Sequence, residues 1–419
     1  MDKINNFAIS SGLINVFLCV FLFFQPFKPF TGVRNTAFVL MLLFFVLKAA
    51  GGEIKIRLKD TTTAALCLLF AAAVLSSVVS PFPIESLNAI RKNLLYQIVV
   101  FFVIITEYRN VDELKPVFYS LFGGFAVLSA IIVFRHGHEL FGDWSIMPDK
   151  RFTSGYATFA TFYIPLLLAY IYSMKEDKRL MRVLVFFLAL EFFLTVLNNH
   201  RAQTAAIAVS CGVLTLGARR FRLLAVGAAS VLVIGLVILQ AKPGALARYK
   251  TLLTPSTYTS NEYTAWNNRL AIWSGTFDMI KERPVLGYGY GWKKIDYAAK
   301  DMGFLEKWKE AKPETYGYFS KGNYGSSNPH NLFLQILFEV GVIGLLAFLG
   351  FWLSLVLKAL GAGQPKLLRL ALLAVLVSYG LVNIANGLWS EAYGNIMLSF
   401  AAISLVLSRE ARKGFLADG

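Results

Sequence analysis

The sequence predicts an all-α, polytopic integral membrane protein of about 12 transmembrane helices with a helical extracytoplasmic cap, and three observations carry that prediction. Of its 419 residues 56% are hydrophobic and only 16% charged, a balance that suits lipid rather than water as the solvent. The apolar residues gather into runs near 7–24, 35–50, 61–80, 94–106, 116–134, 156–173, 183–199, 202–217, 222–240, 331–357, 367–387 and 392–408. Lysine and arginine concentrate on alternate connections between those runs.

The first run is followed by Gln25-Pro26-Phe27-Lys28-Pro29-Phe30 with no small-residue cleavage site, which predicts a retained helix rather than a removed signal peptide. Lys55, Arg57 and Lys59, then Lys175, Lys178, Arg179 and Arg182, then Arg219, Arg220 and Arg222, then Lys366 and Arg369, and the tail Arg409, Arg412 and Lys413 mark one side. That side is the cytoplasmic one, and twelve spans place both termini there. The runs 94–106 and 202–217 are shorter than the usual span of about 20 residues, so they are expected to tilt or to extend beyond these limits. The resulting organisation is helices one to nine in 1–239, a large outer loop in 240–330, helices ten to twelve in 331–408 and a cytoplasmic tail in 409–419. A formal charge of +16 raises the question of nucleic acid, but dispersal of the basic residues among apolar spans argues against it. Cys19, Cys67 and Cys211 each lie within an apolar run, as buried hydrophobes do, and form no disulfide or zinc pattern.

Between Gln240 and His330 the composition becomes that of a soluble cap. Trp266, Leu270, Trp273, Phe277 and Ile280 recur at helical spacing, and Pro284 and Gly287 end that helix. A second helix is expected from about Trp292 to Lys312, with Trp292, Ile295, Met302, Leu305 and Trp308 on one side. Lys293, Lys294, Lys300, Lys307 and Lys309 would then face water or headgroups. It either lies on the membrane interface or packs on its own cap. No fixed-period repeat or low-complexity tract appears, so a solenoid is not expected.

The strongest local signal is Asn328-Pro329-His330-Asn331 ahead of a long apolar run. There Asn328 is expected to cap and Pro329 to take the first helical position, which puts His330 in the first turn. A helix N-terminus disfavours imidazolium and attracts anions, so the position reads as a neutral base beside a phosphate, or else as a capping or interfacial histidine. Glu339 falls on the opposite face of that helix and cannot pair with His330; for it, and for Glu191, pairing inside the bundle is expected. Gly341 and Gly344 read as close-packing positions. Arg201, in the short turn Asn198-Asn199-His200-Arg201, and Arg269, heading the first cap helix, fall on the His330 side; two planar guanidinium forks suit a pyrophosphate.

Weaker patterns frame this one. Gly287-Tyr288-Gly289-Tyr290-Gly291 lacks the dinucleotide spacing and reads as a turn allowing close backbone approach. His136, His138 and Glu139 are three candidate metal ligands in a loop. The sequence contains no Asp-x-Asp, which argues against a metal-held nucleotide-sugar donor.

At these residues the sequence resembles the O-antigen ligase and polymerase superfamily of bacterial envelope enzymes. His330-Asn331, nine residues, then Gly341-x-x-Gly344 is similar to the ligases' histidine signature. Asn268-Arg269-x-x-x-Trp273, Pro284-Val285-Leu286-Gly287-Tyr288-Gly289 and the arginine opening a span at 201 also look like that superfamily. Where relatives often carry Ser-Arg-Gly, this chain has His200-Arg201-Ala202. The resemblance implies transfer of a glycan from an undecaprenyl pyrophosphate carrier to the lipid A core oligosaccharide, on the periplasmic side of the inner membrane. Membrane lipids, the lipid-linked donor and the core acceptor would be its partners, with no cofactor or metal. Arg201 and Arg269 would hold the pyrophosphate, Asn331 would join them in binding substrate, and His330 would deprotonate the acceptor hydroxyl for an inverting displacement. Polymerases that join O-antigen units and enzymes that glycosylate protein Ser or Thr differ from a ligase in the acceptor. The short tail after the last span favours the ligase. A glycan or lipid transporter is the reading from a different class, and it would not call for an arginine and histidine cap.

Overall fold

The computed structural model describes residues 2–54, 60–142, 155–174, 177–198, 200–223, 265–361, 366–387, 389 and 391–417, with 225, 227, 236 and 240 as isolated positions. Every regular element among them is helical. The bundle begins with α1 (Asp2–Phe23), α2 (Thr31–Ala50), α3 (Thr61–Val78) and α4 (Pro83–Ala89), which runs through a π-turn at Ile90–Leu94 into α5 (Leu95–Glu107). It continues with α6 (Val111–Gly142), α7 (Tyr156–Ser173), α8 (Lys178–Leu197) and α9 (Arg201–Gly217). The cap holds α10 (Ala265–Glu282), α11 (Ile295–Asp301), α12 (Phe304–Ala311) and α13 (Pro313–Phe319), and the chain returns through α14 (Leu332–Leu360), α15 (Lys366–Ile384) and α16 (Glu391–Ala417).

Among the described residues eight helices are long and apolar enough to cross a membrane: 28–50, 61–78, 83–107, 111–135, 156–173, 332–360, 366–384 and 392–410. A shorter apolar stretch, Ser11–Phe23, lies in α1. The helices α8 and α9 form where two further spans were expected, and most of the expected span 222–240 lies outside the described residues. The short run at 94–106 is explained by the π-turn, which joins it to α4 as one helix over 83–107. Local chemistry sets the helix starts. Asp60 accepts from the Thr62 and Thr63 amides at the head of α3, and Asp177 accepts from Arg179 and Leu180 at the head of α8.

The spans pack α14 on α3, α5 on α16, and α9 on both α7 and α15, around one continuous apolar core. One end of the bundle is tied by polar contacts. There Lys48 Nζ meets Glu107 at 2.7 Å, Lys358 meets Asp60 at 2.9 Å, and Arg409 donates to the Ile105 carbonyl at 3.2 Å. The cap covers the other end, where Ser76, Ser77 and Ser80 near the end of α3 bind the backbone of 286–290.

The cap has its own small core of Ile272, Met279, Ile280, Ile295, Phe304, Trp308 and Phe319, joined to α14 by the stack of Tyr288 on Phe338 at 5.0 Å. This corrects two expectations. The buried side of α10 carries Ile272, Thr276, Met279 and Ile280, while Leu270 and Phe277 from the expected stripe are half exposed. The helix expected over 292–312 is instead a 3-10 turn at Trp292–Lys294 followed by α11 and α12, broken at Gly303, whose φ of +72° a side chain would resist. Lys294, expected in water, is 1% exposed because the turn points it inward.

Candidate active site

The site is built on a break in α14. At Gly341 the backbone turns to φ +65° and ψ −166°, a conformation open only to glycine, and the helix is interrupted. The loop Pro284–Tyr290 fills the gap. Val342 N–H donates to the Pro284 carbonyl at 2.8 Å, and Tyr288 N–H donates to the Phe338 carbonyl at 2.8 Å. Ser76 Oγ donates to the Glu339 carbonyl at 2.8 Å and binds the Leu286 carbonyl as well. Backbone freed by the break is thus satisfied inside the protein, as an interrupted membrane helix requires. A Cβ on Gly287 would lie 2.5 Å from the Phe338 carbonyl oxygen and one on Gly341 would lie 2.2 Å from that of Val285, so each glycine exists for the other strand's backbone. The turn and close-packing readings of these glycines describe one joint.

Glu339 pins the same joint from the inside. Its carboxylate accepts from Gln335 Nε2 at 2.8 Å and from the Gly291 and Trp292 amides. Lys294 stands near it, donating to the Tyr290 and Gly291 carbonyls at 2.8 and 2.6 Å. Burial pulls the Lys294 ammonium below its usual range, against the opposing pull of Glu339 and Glu85. Glu191 is likewise internal, accepting from the Tyr156 hydroxyl.

Above the joint, the upper half of α14 begins differently from expectation. Asn331, not Asn328, is the cap: its Oδ1 accepts from Phe333 and Leu334 at 3.0 and 3.1 Å, and the helix starts at Leu332. The other end of the Asn331 side chain donates to the Ile384 carbonyl at 3.1 Å, so this residue, expected to bind substrate, is engaged in holding α14 to α15. Asn328 makes a local turn, accepting the His330 amide at 2.7 Å. His330 therefore precedes the cap rather than sitting in the first turn, and its φ is +50°, rare for a residue with a side chain. Asp296 secures the approach to this turn, accepting from Ser327 N–H at 3.0 Å.

Arg201 opens α9, Arg269 stands in the first turns of α10, and His330 lies one residue before the cap of α14. The Trp273 bond to the Pro329 carbonyl at 2.7 Å brings α10 against the turn that carries His330, and the charge of Arg201 bears on Arg269 as that of Arg269 bears on His330. Burial first, and the Arg269 charge second, push the His330 imidazole below its usual 6.5. Burial and Arg201 likewise lower the proton affinity of Arg269. Positive groups held this close, partly out of water, favour an anion between them and a neutral histidine beside it. The side chains of Asn268, His136, His138 and Glu139 lie outside what is described. Among the described residues no group of three metal-binding side chains occurs. Sequence reading missed the tie from Trp273 to the Pro329 carbonyl, the inward Lys294 and the serines of α3; the only signal for the serines was their presence in an apolar run.

Fold and site together define a multi-pass helical membrane protein with a cationic, histidine-bearing site at one end. Residues 184–349 match the O-antigen ligase family, a segment that takes in Arg201, Arg269, His330 and the α14 joint, and the match supports a place in the O-antigen ligase superfamily. Members of that family are glycosyltransferase-like enzymes of lipopolysaccharide biosynthesis. The match spans less than half of the chain. No curated protein matches it.

Proposed function

We propose that the protein is an O-antigen ligase of the bacterial inner membrane. It moves a glycan from undecaprenyl pyrophosphate to a sugar hydroxyl of the lipid A core, at a periplasmic site under the cap. The observation that carries this reading is the convergence of Arg201, Arg269 and His330 at one end of the bundle. Arg201 and Arg269 hold the pyrophosphate, and their charge stabilises the negative charge that grows on it as the anomeric C–O bond breaks. His330, neutral near pH 7, takes the acceptor hydroxyl proton while that oxygen bonds to the anomeric carbon from the opposite face. Undecaprenyl pyrophosphate leaves with the bonding electron pair, and the configuration inverts. Asn331 serves by fixing the head of α14 on which His330 stands.

Purified protein in proteoliposomes, given undecaprenyl-pyrophosphate-linked oligosaccharide and lipid A core, should yield the glycosylated core with inverted linkage. Movement of the lipid-linked donor across the bilayer without product would point to a transporter. Chain extension of the donor or glycosylation of protein would reassign the acceptor.

A further inference from the structure

We infer that Trp273 is a positioning residue that sets the orientation of the His330 imidazole relative to Arg269, an inference that rests on the general-base reading of His330. The argument concerns one peptide group. The carbonyl of Pro329 and the N–H of His330 belong to the same planar unit, and both of its polar atoms are tied. Trp273 Nε1–H donates to the Pro329 carbonyl at 2.7 Å. Asn328 Oδ1 accepts from the His330 N–H at 2.7 Å. With both ends held, the plane cannot rotate, and the rotation of that plane is what defines φ of His330.

That torsion is +50°, where a residue with a Cβ rests only when its surroundings hold it. The Asn328 bond is local and moves with the loop. The Trp273 bond reaches across 56 residues of sequence and fixes the loop to α10. Arg269 lies four residues before Trp273 on that helix, so the two share a face one turn apart. A single rigid indole thereby ties the residue that activates the acceptor to the helix that holds the donor. Indole offers one donor and no acceptor, and a phenyl ring cannot replace that bond.

A space-filling role for the half-buried Trp273 makes a different prediction. Trp273→Phe keeps an aromatic ring and loses the donor; β-(3-benzothienyl)-alanine at position 273 keeps the full shape with sulfur in place of N–H. Turnover of both variants is measured in proteoliposomes with undecaprenyl-pyrophosphate-linked oligosaccharide and lipid A core, with His330→Ala alongside. Positioning predicts that kcat falls about tenfold to about 100-fold in both variants while KM for the lipid-linked donor stays within about threefold, as displacement of a catalytic group by about 1 Å does. If the benzothienyl protein turns over within about twofold of wild type while His330→Ala is inactive, the indole N–H does not position the histidine and the inference is overturned. Trp273→Phe failing to fold leaves that comparison intact, because the benzothienyl residue preserves the packing. Should His330→Ala itself keep turnover, the general-base reading fails and this inference with it, an outcome distinct from the one before.

Discussion

Replacing Gly341 by alanine tests the joint in α14 directly. A Cβ there would sit 2.2 Å from the Val285 carbonyl oxygen, 2.3 Å from its carbon and 2.6 Å from Leu286 N. All three are backbone atoms of a loop that is itself pinned by Ser76 and by the Val342 bond to Pro284, so no rotamer change relieves the clash. Forcing a side chain into φ +65°, ψ −166° costs about 1–3 kcal/mol, and overpacking adds about 1–3 kcal/mol. If the helix straightens instead, the Val342 to Pro284 bond is lost, for about 1 kcal/mol. The expected loss of about 2–6 kcal/mol is a large share of the roughly 5–15 kcal/mol by which a typical domain is stable. Thermal unfolding of purified protein in detergent reads it, with Gly350→Ala as a control on the same helix. A Cβ at Gly350 meets only the Ala65 Cβ at 4.0 Å, and that variant should unfold as wild type does or slightly higher. Gly341→Ala unfolding together with Gly350→Ala and keeping full turnover would mean that α14 does not need its break, and the account of the site's foundation would be wrong.

Arg269→Lys should be nearly as inactive as Arg269→Ala, because a point charge does not reproduce a bidentate grip; recovery of most of the turnover by lysine would reduce the role to charge alone. His330→Ala should lose about 10²–10⁴ in kcat while still binding the lipid-linked donor, and loss of donor binding would make His330 a phosphate ligand instead. The rate should fall on acidification, since protonation disables the base. With burial and Arg269 both depressing the imidazole, the falling limb belongs below 6.5. Weak residual turnover of Arg269→Ala should show that limb moved upward but not fully restored, because burial is the larger cause; an unmoved limb would refute the proximity. Lys294→Met should destabilise the protein by about 3 kcal/mol, since it orphans the buried Tyr290 and Gly291 carbonyls, and a wild-type unfolding profile would show that they find other partners. Turnover is expected to survive EDTA, once any metal dependence of the lipopolysaccharide acceptor is controlled for; rescue specifically by Mg²⁺ or Mn²⁺ would turn attention to His136, His138 and Glu139.

The sequence by itself determined the helical membrane class, because the length of an apolar run and the cost of charge in lipid are properties of composition that no packing can reverse. It also offered Arg201, Arg269 and His330 as candidates, since those residue types carry their chemistry with them. Tertiary structure decided the rest, for reasons visible in particular residues. The side of α10 that is buried depended on where the cap core lay, and periodicity could not distinguish Ile272 and Met279 from Leu270 and Phe277. Lys294 turned inward because Glu339 and two carbonyls wait for it there, partners supplied by a segment 45 residues away and by the turn's own backbone. Asn331 rather than Asn328 caps α14, in a segment where a tryptophan from a distant helix donates to the Pro329 carbonyl and His330 lies in a left-handed turn. Such choices rest on contacts between residues far apart in sequence, and their energies exist only once the chain has brought them together.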